Sequence, residues 1–327
     1  MKNILLGTIV SLLLVFPFGG IVYAEEASTQ GQDQAREENG EQERIQSLLQ
    51  ERRDTLNYGI ESEVLDLLAK LKEEGTSDLV QEVGELFRTT ANPRIQKGCI
   101  ELFAELKDYR FAKTAFDVLE NFTDLDTELL RSVSSYLGDA RFHDALPVFE
   151  EMLDNTNTTI ALIAVSSIGK LGDPSYGKIL LAKIEDDETP KEVKVEMIRA
   201  VGYLKSPAGI EPLMRILEDT DEQASWRWAA CEALGRIGDR KALPALKKAY
   251  ESQDSTLRSY VVAAMRNFSG KEIEEFLIDS LRDSFWRVRV SAAESLGMMK
   301  SEAGVPILIY KARRDPENPV RLASISA

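Results

Sequence analysis

Histidine occurs once in these 327 residues, at His143, and cysteine twice, at Cys99 and Cys231. With one imidazole there is no multi-histidine metal site, and a serine triad would have to use His143 as its base. Ser134 and Ser135 lie near it in sequence but lack the glycine pattern of a nucleophile elbow. His143, next to Asp144 at a helix start, therefore reads as a solvated or capping residue. Glycine-rich phosphate loops are absent. Asp219, Asp221 and Glu222 could gather around calcium, but the spacing and glycine of an EF-hand loop are missing. Other carboxylate clusters, such as Glu150-Glu151 and Asp186-Asp187-Glu188, fall at helix ends and turns, where they serve as caps or solvated surface. Basic residues are also in deficit, with 40 Lys and Arg against 55 Asp and Glu and a net charge of −15. Phosphate affinity comes from Lys and Arg, so this balance argues against nucleic acid and anionic membrane surfaces as partners. Together these absences predict no catalytic residues, no metal site and no cofactor.

Long apolar runs are missing too, with one exception. Lys2, the apolar stretch Ile4–Val15, the breakers Pro17, Gly19 and Gly20, and the small-residue pattern Val22-Tyr23-Ala24 read as a secretory signal over residues 1–24. Cleavage after Ala24 would place the protein in the periplasm or outside the cell, with no stable membrane insertion. Residues 25–40 are rich in Glu, Gln, Ser, Thr and Gly with only Ala27 and Ala35 apolar, which predicts a disordered acidic leader. Helical periodicity begins near Ile45, Leu48 and Leu49 and continues through residues 41–327.

What fills that region is a repeat. The clearest copy runs Trp226-Arg227-Trp228-Ala229-Ala230-Cys231-Glu232-Ala233-Leu234-Gly235-Arg236-Ile237-Gly238-Asp239, followed by Ala242-Leu243-Pro244-Ala245-Leu246. It returns as Arg289 to Gly297 with Val305 to Leu308, and in part as Ile168 to Pro174. Recurrence at a fixed period is the signature of a solenoid. Pairs of helices, A then B, are predicted at 41–74, 76–107, 108–139, 141–171, 173–204, 206–238, 240–268, 270–299 and 302–327. The anchor position of each B helix is Ala69, Ala104, Gly138, Gly169, Gly202, Gly235, Arg266 and Gly297. Arg266 breaks the small-residue rule, so its guanidinium must reach solvent or its helix must pack differently. Trp226, Ala230, Ala233, Leu234 and Ile237 fall on one helical face. Pro174, Pro207, Pro244 and Pro306 sit near A-helix starts, where a missing N–H costs little. Asp219, Asp254, Asp283 and Asp315 sit in the A–B turns. Cys99 and Cys231 fall four units apart, roughly 40 Å at about 10 Å per layer, beyond disulfide reach, and read as small core residues. Arg321–Ala327 repeats Arg289–Ser295 and the sequence stops inside a B helix without a polar cap. The expectation is that the natural protein continues or that a partner covers this end.

The pattern Val-Arg-x-x-Ala-Ala-x-x-Leu-Gly at Val288 to Gly297 resembles the short bacterial HEAT-like repeat first associated with phycobilin lyases, strongly over 141–327 and more weakly over 41–140. The resemblance implies an all-α superhelix of about nine helix pairs, the last incomplete, of armadillo-like type. Tetratricopeptide and ankyrin signatures are absent. HEAT-repeat metal hydroxylases hold two irons with several His-Glu pairs, which a single histidine cannot supply.

Fold does not imply function, so the surface must be weighed. Lys194, Arg227, Arg258, Arg289 and Arg321 recur near B-helix starts. They pair with turn aspartates to stitch units together, or they form a charged strip for an acidic partner. Trp226 belongs to the apolar column, whereas Trp228 falls in a half-exposed one, and Trp286 stands beside Arg287. An exposed Trp beside Arg is a common interface anchor. Trp228, Trp286, Arg227, Arg258, Arg289 and Arg321 are thus the expected partner contacts. The expected function is a non-enzymatic, exported scaffold that binds a protein or peptide of the cell envelope on its concave surface. The alternative is a chromophore lyase or other enzyme subunit of the HEAT-like type.

Overall fold

The computed structural model describes the backbone of residues 22–327 and the side chains from Gly40 onward. The expected secretory segment lies outside the described residues, apart from Val22–Ala24. The described residues divide into two compact units, one ending at Leu67 and one running from Leu68 to Ala327.

In the first unit, α1 (Val22–Tyr58) is followed by the start of α2 (Glu61–Glu74). The turn between them is closed by Gly59 N–H to the Thr55 carbonyl at 2.9 Å and Ile60 N–H to Glu63 Oε2 at 3.1 Å. Leu56, Val64 and Leu67 are buried. Residues 25–40, expected to be an unstructured leader, lie within α1. The composition that argues against burial, Glu, Gln, Ala and Arg without proline, is also one of good helix formers.

The second unit continues α2 and then alternates A and B helices. These are α3 (Val80–Thr89), α4 (Pro93–Glu105), α5 (Ala112–Leu119), α6 (Thr127–Asp139), α7 (Leu146–Leu153), α8 (Thr158–Leu171), α9 (Gly177–Glu185) and α10 (Lys191–Tyr203). There follow α11 (Ile210–Glu218), α12 (Ala224–Ile237), α13 (Leu243–Tyr250), α14 (Ser255–Met265), α15 (Lys271–Ser280), α16 (Trp286–Met298), α17 (Val305–Arg314) and α18 (Asn318–Ser326). Every predicted pair contains its two helices, and the all-α solenoid reading holds. No helix among the described residues is long and apolar enough to cross a membrane.

Local chemistry explains the punctuation. Asn92, Asp126, Asn157 and Asp254 cap α4, α6, α8 and α14 by accepting backbone N–H bonds, each typically worth ~1 kcal/mol. B helices α8 and α12 end on Gly172 and Gly238 at positive φ, and the same left-handed position is held by Lys107, Arg141, Lys205 and Lys300 in other units. The core is the seam between successive B helices. Leu171, Val201, Leu234, Met265 and Leu296 are all but inaccessible to solvent. Small anchors let these helices close up. A Cβ on Gly202 would stand 2.5 Å from Ala233 Cα, and one on Gly235 would stand 2.7 Å from Ala264 Cβ. Arg266 is exposed, its side chain leaving the seam as the pattern required.

Candidate functional site

On each B helix, the residues seven and three before the anchor and one after it lie along the face turned away from the A helices. On this face neighbouring layers are tied by side chains. Lys72 Nζ meets Glu101 at 2.9 Å, Lys97 Nζ meets Glu128 at 3.1 Å, and Lys170 Nζ meets Asp139 at 2.8 Å and Ser135 Oγ at 2.6 Å. Further on, Arg199 Nε lies 3.6 Å from Glu232, and Arg236 donates to Tyr203 Oη at 3.2 Å with its guanidinium 4.0 Å above that ring.

Beyond α12 such ties are lacking, since among the described residues no side-chain hydrogen bond or ion pair joins α12 to α14 or α16 to α18, and one joint inside the tied part lacks one as well. Among the described residues no side-chain hydrogen bond or ion pair joins α8 to α10. At that joint a Cβ on Gly169 would still be 3.9 Å from Ala200 Cβ, against the 2.5–2.8 Å seen at Gly138, Gly202, Gly235 and Gly297. The two helices therefore stand apart, and a cleft of about 560 Å³ opens between them. Leu162, Val165, Ser166, Gly169 and Lys170 form its α8 wall, and Glu196, Arg199, Ala200 and Tyr203 its α10 wall. Val165 and Ala200 make a buried apolar floor, while Tyr203 stands 58% exposed at the rim. The layers remain joined on the A side, where Lys183 pairs with Asp154 and His143 Nδ1 lies 2.9 Å from Tyr176 Oη. The gap is confined to the B face. Its volume falls in the usual range of ligand pockets, with an apolar floor and a few polar groups at the edge.

The residues expected to contact a partner lie elsewhere, and the structure gives most of them internal work. Arg289 is buried, with Nε and Nη2 forking Asp315 at 2.9 and 2.8 Å and Nη1 donating to the Asp283 and Ser284 carbonyls. Arg258 does the same with Asp283 at 2.9 and 3.0 Å and with the Ser252 carbonyl. Burial alone would raise the carboxyls of Asp283 and Asp315, but the hydrogen bonds from these arginines and from backbone N–H groups outweigh it and hold both below the usual range. Arg227 donates to the Leu217 carbonyl instead, and Arg321 to the Asp315 and Pro316 carbonyls and to Asn318. Lys194 is buried with its ammonium 5.5 Å from the Trp226 ring. The expected charged strip is thus a set of staples at the A–B turns, and Arg289 is out of a partner's reach.

Trp228 is half-buried, as its column implied. Its Nε1–H donates to Asp254 at 2.7 Å and its ring stacks on Tyr260, so its polar atom and one face are already used. Trp286 packs against Phe285 and carries Arg287 at 5.2 Å on its ring. Trp226, placed in the apolar column, is only half-buried, and its Nε1 has no partner among the described residues. Both cysteines are buried and free, and burial pushes the Cys99 thiol up to about 12 and raises Cys231 as well. Neither is a reactive thiol.

The model of the family described as Spirochaete HEAT repeat protein matches residues 56–327. The chain is 25% identical over 244 residues to a deoxyhypusine hydroxylase of Candida albicans, covering 64% of this chain and 76% of that one. It is 35% identical over 92 residues to a deoxyhypusine hydroxylase of Schizosaccharomyces pombe, where it spans 28% of the relative's length. The solved complex of CpcE and CpcF of phycocyanin lyase from Nostoc sp. PCC7120 is similar at 21% identity and TM-score 0.43, covering 65% of this chain and 85% of that chain. The expectation of a non-enzymatic protein is overturned here, because the curated relatives this chain resembles are enzymes. Their chemistry does not carry over whole. His143, the one histidine, bonds a tyrosine, and among the described residues no group of three or more His, Cys, Asp or Glu could hold a metal. This donor set does not fit a pair of irons, so no metal-dependent step follows. With its family model spanning most of the sequence, the chain belongs to the spirochaete HEAT repeat proteins.

Proposed function

We propose that this chain is the substrate-holding subunit of an enzyme built on HEAT repeats, working outside the cytoplasm, with the α8–α10 cleft as its substrate site. The observation that carries the reading is the α8–α10 joint, which has no side-chain tie and stands open at Gly169 over an apolar floor and a charged rim. The hydroxylase relatives support an enzymatic role. The Lys2 to Ala24 pattern supports export and an envelope partner. In the cleft, Val165, Ala200 and Leu162 would exclude water. Lys170 and Arg199 would supply N–H donors to negative charge on the substrate, which act most strongly where water is excluded. Glu196 is the carboxylate within reach to accept a proton there, and partner proteins would bring whatever further chemistry the reaction needs.

The test is to incubate the purified chain with an envelope extract of its source cells and follow mass changes in the extract. A chain-dependent change that disappears with Gly169→Leu is expected. No chain-dependent change would end the enzymatic reading, and an equal change with Gly169→Leu would remove the cleft from it. Amino-terminal sequencing of protein recovered from the cells should begin at Glu25; a mature chain that retains Met1 contradicts export.

A further inference from the structure

The cleft is bounded along the stack. On one side the Lys170–Asp139 pair closes the joint between α6 and α8, and on the other the Arg199–Glu232 and Arg236–Tyr203 contacts close that between α10 and α12. A polypeptide lying along the B face would have to cross these closed joints, whereas a compact ligand would not. The space of about 560 Å³ suits a small molecule.

Its chemistry is specified by the walls. The floor is hydrocarbon from Leu162, Val165, Gly169 and Ala200. The rim carries Lys170, Arg199 and Glu196, with Lys170 paired to Asp139 and Arg199 to both Glu196 and Glu232. Arg199 gives Nη1 to Glu196, while its Nη2 donates to none of the described residues. An Arg edge with free donors beside an apolar floor is suited to a carboxylate or sulfonate attached to a hydrocarbon body. Gly169 fits the same picture. At the other glycine anchors the missing Cβ is filled by the adjacent helix, but here it leaves room for a ligand.

We infer that the α8–α10 cleft binds a small amphiphilic anion, one aliphatic or aromatic group bearing one carboxylate or similar charge, with the apolar part over Gly169 and the anion at Arg199 and Lys170. This rests on the cleft proposed above as the substrate site, but it does not require turnover.

The experiment uses the full chain and 8-anilinonaphthalene-1-sulfonate fluorescence, with displacement by decanoate or 1-naphthoate and by the matching neutral amides. One saturable site is expected, with an anion displacing the probe at roughly tenfold lower concentration than its amide, as for one charge-assisted contact. Decanoate against naphthoate separates an aliphatic from an aromatic ligand. Gly169→Leu should remove the site, and so should Ser166→Trp, which fills the cleft from an exposed position and leaves the fold intact. Arg199→Gln should reduce the anion preference to near unity while the amide still binds. Binding unchanged in both filled variants, or equal displacement by acid and amide, would overturn the inference. Because the readout is binding, its failure is separate from a failure to find a reaction.

Discussion

Asp315 offers the most direct measure of what holds successive layers together. Its side chain is inaccessible to solvent and accepts from Arg289 Nε and Nη2 at 2.9 and 2.8 Å and from Lys311 Nζ at 3.1 Å. Asp315→Asn retains the size of the side chain and its turn bond to the Glu317 N–H, removes the charge, and replaces the oxygen that accepts from Arg289 Nε and Lys311 Nζ by an NH2. At an effective dielectric near 20, two charges about 4 Å apart interact by roughly 4 kcal/mol. Stranding a buried arginine typically costs about 3–5 kcal/mol. Arg289 keeps its bonds to the Asp283 and Ser284 carbonyls, so the lower figure, about 3 kcal/mol, is expected. Repeat arrays open locally, so the loss should be read as hydrogen exchange of α16 and α18 and as urea-induced change in Trp286 fluorescence. Arg289→Met in the Asp315→Asn background should recover part of the loss, because the stranded charge is then gone. The sign of the pH effect follows from the lowered carboxyls of Asp315 and Asp283. Their stabilisation is complete above the unfolded value, about pH 4, and is lost as pH falls through the lower folded values. The acid limb of wild type should therefore be steeper than that of Asp315→Asn. A loss under about 1 kcal/mol with unchanged protection of α16 and α18 would refute the stapling argument, since that is the scale of an exposed pair.

The anchor glycines separate packing from propensity. Gly202→Ala drives a methyl into the Ala233 backbone and should cost about 1–3 kcal/mol, whereas Gly169→Ala meets only a van der Waals contact and should gain about 0.5–1 kcal/mol in helix propensity; urea midpoints of the two variants must move in opposite directions. Lys205 stands at φ 50 in the left-handed region, so Lys205→Gly should relieve about 1 kcal/mol of strain, and a lowered melting temperature would contradict this. Cys99 and Cys231 should resist an aromatic disulfide reagent at pH 8 in native protein and react fully in denaturant; rapid native labelling of either would show that the B-helix seam opens readily.

The layers were legible because the signals are local. Pro174, Pro207, Pro244 and Pro306 mark A-helix starts, a fixed anchor marks B-helix ends, and the apolar face repeats at helical spacing between them. The staples were legible only in part. Arg258 and Arg289 do reach the aspartate of the next turn, but Arg227 donates to the Leu217 carbonyl, and Asp254 takes the Trp228 indole N–H. A subtler regularity was missed. Arg258, Arg289 and Arg321 each donate to the carbonyl six residues earlier, and Gln96 does the same to Thr90 at 3.0 Å. Gln96 thus holds the arginine position in the weaker N-terminal repeats without the charge that would have drawn notice. The cleft was not legible at all. Gly169 and Gly202 look alike as letters, and only the spacing of the neighbouring helix shows that one is packed against and the other is not. The signal that could have pointed there is pairwise: Ser166 faces Arg199 across the joint where the next layer places Glu232.

That comparison also explains why the cleft stays open. In a solenoid each layer sees only its neighbours, so stability is close to a sum of local terms, and one weak joint need not unfold the rest. The α8–α10 joint keeps its buried seam through Ile168, Leu171, Val201 and Leu204 and its A-side tie through Lys183 and Asp154. It lacks the surface link that the joints on either side of it carry, and an exposed pair of that kind is worth no more than ~1 kcal/mol. Opening a ligand-sized space at this position is therefore cheap in stability. In the joints stapled by Arg258 or Arg289 the same opening would strand a buried charge.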